Sequence, residues 1–181
     1  AALAAAGLAL ESADVGALAR DGQRLAWRHA TDPERFIVVA PAAAEPPVDW
    51  PAADARTEDA WRAADIAAGL PQVHPETAGA FVAQMLNLDA LRAVSFDKGC
   101  YTGQEVIAGA DNRGRVKRRL QHFRTTAPMA SAPPPGTVVA LGDGRQVRVV
   151  EAVGPADGRV EVVAAAPLGA AEDPADAEGG G

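Results

Sequence analysis

The sequence predicts an α+β chain that ends in a small antiparallel β-barrel. Three observations carry that expectation. Residues 23–30 and 35–40 are rich in strand formers and flank Thr31-Asp32-Pro33-Glu34, a turn-like cluster, which reads as a hairpin. Thr57 to Ala68 has the punctuation of a helix. After Lys117, Leu120, Phe123, Val138, Val139, Val147, Val149, Val160 and Val162 fall in short runs between turns at Pro133–Gly136, Gly142–Gly144 and Gly154–Gly158, the spacing of a small barrel or sandwich.

In chain order, the opening Ala1–Leu10 has no basic residue ahead of it and no cleavage pattern, and Glu11 and Asp14 soon follow. It does not read as a signal peptide. It reads as the remnant of a helix and strand in a piece of a longer protein. Pro41 to Ala55 is a Pro/Ala-rich irregular connection. In the helix that follows, Thr57 caps, Glu58 and Asp59 suit the positive end, Gly69 closes and Pro71 forbids continuation. Trp61, Ala64 and Ala68 share one face at helical spacing. Glu76 to Leu88 is expected to be helical at least in part, and a short helix is expected from Gly103 to about Ala110. The tail 169–181 is acidic and Gly-rich, the composition of a disordered segment.

The net charge of −7 argues against general nucleic-acid binding, and no apolar run is long enough to span a bilayer. One cysteine cannot form an internal disulfide, which fits a reducing compartment. Structural zinc or an iron–sulfur cluster needs about four ligands. Cys100, His29, His74 and His122 are scattered, so no metal site is expected. Neither a phosphate-binding loop nor a dinucleotide fingerprint is present.

Cys100 is the focus of the candidate chemistry. Thr102-Gly103-Gln104-Glu105 fits a capping box, with Thr102 as cap and Glu105 at the third helical position. Cys100 then precedes a helix N-terminus, with Lys98 two residues away. Both favour thiolate over thiol. A small buried residue in a turn fits the position equally well. From Arg113 to Arg124 there are six basic residues and no acid. That run reads first as a solvated strand edge and second as a phosphate contact. Trp61 reads either as core or as a plate for a flat heterocycle.

The segment from Trp61 to about Leu120 resembles the YgfZ family. These are folate-binding proteins related in fold to the glycine-cleavage aminomethyltransferase (a GcvT-like fold). The resemblance is carried by Ala68-Gly69-Leu70-Pro71, Glu76-Thr77, Phe81-Val82-x-Gln84-x-x-Asn87-Leu88, Val94-Ser95-Phe96, the block Lys98 to Glu105, and Arg113-Gly114. The block KGCYTGQE separates this family from the aminomethyltransferases. Departures are Gly109 where a relative usually has Arg, Asp111 and Asn112 where basic and aromatic residues are common, and Ala83 for a frequent Pro. The first of these removes a cation that could grip an anionic tail or partner.

The resemblance implies a cytoplasmic protein, or one of the mitochondrial matrix in a eukaryote, that binds tetrahydrofolate or a derivative. It implies support for iron–sulfur client enzymes or cluster-assembly proteins, including enzymes that methylthiolate tRNA, as an accessory factor and not a defined catalyst. Trp61 would stack the pterin. Cys100 would be the functional thiolate, with Lys98 holding it ionised. Gly99, Tyr101, Gly103, Gln104, Glu105, Arg113 and Gly114 would shape the loop. The expected organisation is a partial folate-binding region over 1–116, a barrel over 117–168 and the tail. Two alternatives are a folate-dependent aminomethyltransferase or demethylase, and a tRNA-binding module acting through Arg113–Arg124.

Overall fold

The computed structural model describes residues 2–5, 7–42, 55–95, 98–107, 116–154 and 158–168. The chain divides into two compact units, Ala1–Asp54 and Ala55–Gly181.

The first unit holds a short helix α1 (Ala2–Ala5) and an antiparallel sheet of β1 (Leu18–Asp21), β2 (Arg24–Thr31) and β3 (Glu34–Val39), in the order β1-β2-β3. The expected hairpin is β2–β3, with Thr31 opposite Glu34. Its apolar core is small: Leu3, Leu8, Ala19 and Ala26 are buried, with Leu10, Phe36 and Val38 packed against them. Arg28 lies over the Phe36 ring at 5.1 Å and pairs with Glu34. That arrangement lets its aliphatic stem cover apolar surface while its charge is neutralised.

The second unit begins with helix α2 (Ala55–Ala67). It stops as the sequence predicts. Gly69 has φ +67°, its N–H donates to Ile66 O at 3.0 Å, and Leu70 N–H donates to Asp65 O at 2.9 Å. These are the two bonds of a Schellman closure, and Pro71 follows. The helix buries a different face from the one expected. Asp65 and Ile66 are buried, Trp61 is half-buried and Ala68 is exposed. Ile66 is the apolar side chain of the helix that is fully buried against the sheet, and it marks the face that packs.

The expected helix over 76–88 is instead two 3-10 turns, Pro75–Thr77 and Ala83–Leu86. Gly79 between them has φ +71°, outside the helical region, and Asn87 ends the second turn at φ +57°. Asn87 Nδ2 donates to Leu120 O at 3.0 Å, and Arg119 Nη1 reaches both carboxylate oxygens of Asp89 at 2.6 and 2.7 Å. Local helical propensity yields here to ties with the sheet.

That sheet has β4 (Arg118–Arg124), β5 (Val138–Ala140), β6 (Gln146–Val153) and β7 (Glu161–Pro167), all antiparallel, in the order β4-β7-β6-β5. The expected barrel is therefore corrected to an open sheet, with β4 and β5 at opposite edges. Closure needs more strands than four, each tilted and staggered. Both faces also have their apolar cover. Val147, Val149, Ala152, Val162, Ala164 and Ala166 form one cluster, joined by Ala132 and Leu141 from loops. Val150, Val153, Val163 and Leu120 form the other, closed by Ile66 of α2 and Leu86 of the second 3-10 turn. Residues on both sides of position 117 thus share one core.

Candidate functional site

Trp61 stands on α2 at the wall of a cleft of about 710 Å³, within the second unit. Arg62, Asp65, His74, Glu76, Pro134, Pro135 and Glu151 also line it. Its volume falls in the range of small-molecule pockets, roughly 300–1,000 Å³. Half-buried Trp61 offers a flat apolar plate against polar and charged neighbours. A planar heterocycle with a polar edge fits such a lining.

A carboxylate lies at the floor of the cleft because of a fault in the strand pairing. In β6 the register against β7 shifts between Val149 and Glu151. The extra residue, Val150, puts Glu151 opposite Val163, on the face that α2 covers. With unbroken alternation the carboxylate would face the opposite, apolar cluster. A bulge re-aims a side chain in this way. Glu151 is 1% exposed, yet each carboxylate oxygen is partnered. Oε1 accepts from Arg62 Nη2 at 2.6 Å and from Ala152 N–H at 2.9 Å, and Oε2 is 2.6 Å from His74 Nε2. Burial pushes the carboxyl up, and the hydrogen bonds from Arg62, His74 and Ala152 overcome it, so the group sits below its ordinary value. Arg62 is pushed up, first by its bond to Glu151. It also donates to Ala152 O at 2.9 Å. His74 is held by the turn it caps: its N–H donates to Thr77 Oγ1 at 3.0 Å, and Thr77 Oγ1 donates back to His74 O at 3.1 Å.

Cys100 is exposed. Around it, Lys98 Nζ lies 4.7 Å from the centroid of the Tyr101 ring, a cation–π contact one residue beyond the thiol. Residues 104–107 make a helical turn; the remainder of the helix expected to about Ala110 lies outside the described residues. The folded-back side chain falls one residue earlier than the capping box predicts. Gln104 Oε1 accepts the Tyr101 N–H at 3.1 Å, while Glu105 is exposed. Gly103 has φ +85°, whereas Gly99 lies outside the left-handed region and, among the described residues, nothing stands within 4 Å of where a Cβ would be. Arg113 and Gly114 lie outside the described residues. Among the described residues, the lining of the Trp61 cleft does not include Lys98 or Cys100.

Of the basic run, the three arginines of β4 have partners within the fold, and Arg113 and Arg115 lie outside the described residues. β4 is an edge strand. Arg118 donates to Gln146 O, Arg119 is paired with Asp89, and Arg124 with Glu161. Among the described residues no three His, Cys, Asp or Glu side chains gather as a metal site, and no helix is long and apolar enough to cross a membrane.

Sequence reasoning passed over Arg62 and Glu151, and weighed His74 only among scattered histidines. One signal was present: a lone Glu inside Val149-Val150-Glu151-Ala152-Val153 must find a partner if that strand is central. Its partners lie 89 and 77 residues away, beyond the reach of local pattern.

No family model matches the chain. It is 42% identical over 104 residues to the tRNA-modifying protein YgfZ of Serratia proteamaculans (strain 568), covering 56% of this chain and 32% of that protein. It is 40% identical over 106 residues to the tRNA-modifying protein YgfZ of Yersinia enterocolitica serotype O:8, covering 58% and 32%. An uncharacterized protein of Haemophilus influenzae is 50% identical over 68 residues, covering 37% and 24%. The chain spans about a third or less of the length of these relatives.

Proposed function

We infer that this chain, a partial YgfZ-family protein, serves tRNA modification as a tetrahydrofolate-binding accessory factor for iron–sulfur enzymes. The observation that carries the reading is the indole of Trp61 standing at the wall of a cleft of about 710 Å³. A reduced pterin is flat and edged with hydrogen-bonding groups. Trp61 would take its face, and the polar lining its edge. Cys100, exposed in the KGCYTGQE loop, would present its thiolate to an iron–sulfur client or a cluster-assembly protein. Exposure of Cys100 supports that reading, because a partner's cluster or disulfide could reach the sulfur.

The pterin and thiol roles then rest on different residues, Trp61 and Cys100, and they should separate experimentally. Cys100→Ser in the whole protein should abolish complementation of a strain lacking YgfZ while tetrahydrofolate binding persists. Equal loss of both would make the cysteine structural and remove the reading. A one-carbon transferase would instead pass a group to tetrahydrofolate in vitro. Direct tRNA contact would give affinity that falls steeply with salt and with changes at Arg118 and Arg119. The internal partners of those two side chains weigh against it.

A further inference from the structure

We infer that Gln84 is the positioning residue of the Cys100 loop, an amide latch between that loop and the core of the second unit. Gln84 is 1% exposed, in the 3-10 turn Ala83–Leu86. That turn is fixed to β4 through Gln84's own carbonyl, which accepts from Arg119 Nη1 at 3.2 Å, and through Asn87. The side chain points the other way. Its Nε2 donates to Ile107 O at 2.7 Å, a carbonyl at the end of the helical turn 104–107. Among the described residues this is the one hydrogen bond that ties segment 98–107 to the rest of the unit.

The tie continues toward the thiol. Gln104, in the latched turn, accepts the Tyr101 N–H at 3.1 Å and donates its own N–H to Tyr101 O at 3.2 Å. Tyr101 is the residue after Cys100, and its ring carries the Lys98 ammonium. The core therefore reaches the surroundings of the sulfur through Gln84, Ile107, Gln104 and Tyr101.

The bond to Ile107 uses the donor half of the amide. Gln84 Oε1 is buried and has no hydrogen-bond partner among the described residues. An unpaired buried acceptor is a standing cost. Among the described residues the side chain of Gln84 thus acts through its N–H alone. Replacement by an apolar side chain of similar length removes the latch and the orphaned oxygen together, so the two effects on overall stability oppose each other. The loop and the core should respond differently.

This inference rests on reading Cys100 as the working thiol, but its test does not. Gln84→Met and Gln84→Glu in the full chain are compared with the parent by amide hydrogen exchange and by the alkylation rate of Cys100. Loss of the latch should speed exchange at Gln104 and Val106 about tenfold and change the alkylation rate, while amides of β6 and β7 keep their protection. Gln84→Glu adds a signature that a packing role would not produce. A protonated carboxyl can donate to Ile107 O and an ionised one cannot, so the ratio of its exchange rates to the parent's should return toward one as the pH is lowered. Parent-like exchange at Gln104 and Val106 in both variants, at every pH, overturns the latch. So does uniform loss of protection across loop and sheet, which would make Gln84 a core residue only. Complementation by Cys100→Ser reports on the proposed function independently.

Discussion

Arg62 on α2 and Glu151 on β6 meet at 2.6 Å over a carboxylate whose side chain is only 2% exposed. The pair joins helix to sheet at the floor of the Trp61 cleft, and it depends on the bulge at Val150 that turns Glu151 toward the helix. Removing the arginine strands the carboxylate in the core. Arg62 is itself a third exposed, so the cost is below that of a fully buried pair. Arg62→Ala should lose about 2–3 kcal/mol in urea unfolding. An unchanged midpoint would mean that His74 and Ala152 N–H suffice to hold Glu151.

The same network sets the acid limb of stability. Glu151 is depressed below its ordinary 4.5, and Asp89 below 3.8. For Asp89 burial pushes upward, and the hydrogen bonds from Arg119 and the Ala90 N–H outweigh it. A carboxyl whose folded value is depressed binds protons more readily in the unfolded chain. Its stabilisation is complete above the unfolded value and is lost as pH falls through the folded one. Stability should therefore fall as pH drops below the ordinary carboxyl range. The slope should flatten in Arg62→Ala, where burial of Glu151 is no longer opposed by the guanidinium. Equal slopes in parent and variant, from urea midpoints across acid pH, would contradict this.

The helix and its packing were partly legible in the sequence. Gly69 and Pro71 marked the end of α2 because their backbone constraints are local, and the β2–β3 hairpin was set by its turn cluster. Tertiary partners were not legible. Trp61, Ala64 and Ala68 have helical spacing, but Ile66 fills the space above Val150 and Val163 and so chooses the face. Valine runs between turns announce strands without saying how many pair or whether they close. The bulge at Val150 leaves no mark in a run of apolar residues, so the orientation of Glu151 could not be foreseen.

Ile66 tests that packing. It is fully buried between α2 and the sheet. Ile66→Ala should destabilise the second unit by about 2–5 kcal/mol, through lost burial and the cavity left behind. A loss below about 1 kcal/mol in urea unfolding would place α2 outside the cooperative core.

The Cys100 loop carries a sharper backbone requirement at one glycine than at the other. Gly103 sits at φ +85°, where a Cβ is strained by about 1–2 kcal/mol; Gly99 has neither that angle nor, among the described residues, a close neighbour. Gly103→Ala should alter Cys100 alkylation and speed exchange at Val106, and Gly99→Ala should leave both near the parent values. The reverse order would mean that the loop adopts another conformation in solution.

The Trp61 cleft is the premise on which the functional reading stands, and one titration reaches it directly. Tetrahydrofolate added to the chain should change tryptophan fluorescence saturably, and Trp61→Leu should abolish both the saturable change and the binding measured by equilibrium dialysis, with Trp27 and Trp50 still present as emitters. Undiminished binding by Trp61→Leu, or no saturable binding by the parent chain, would contradict the account.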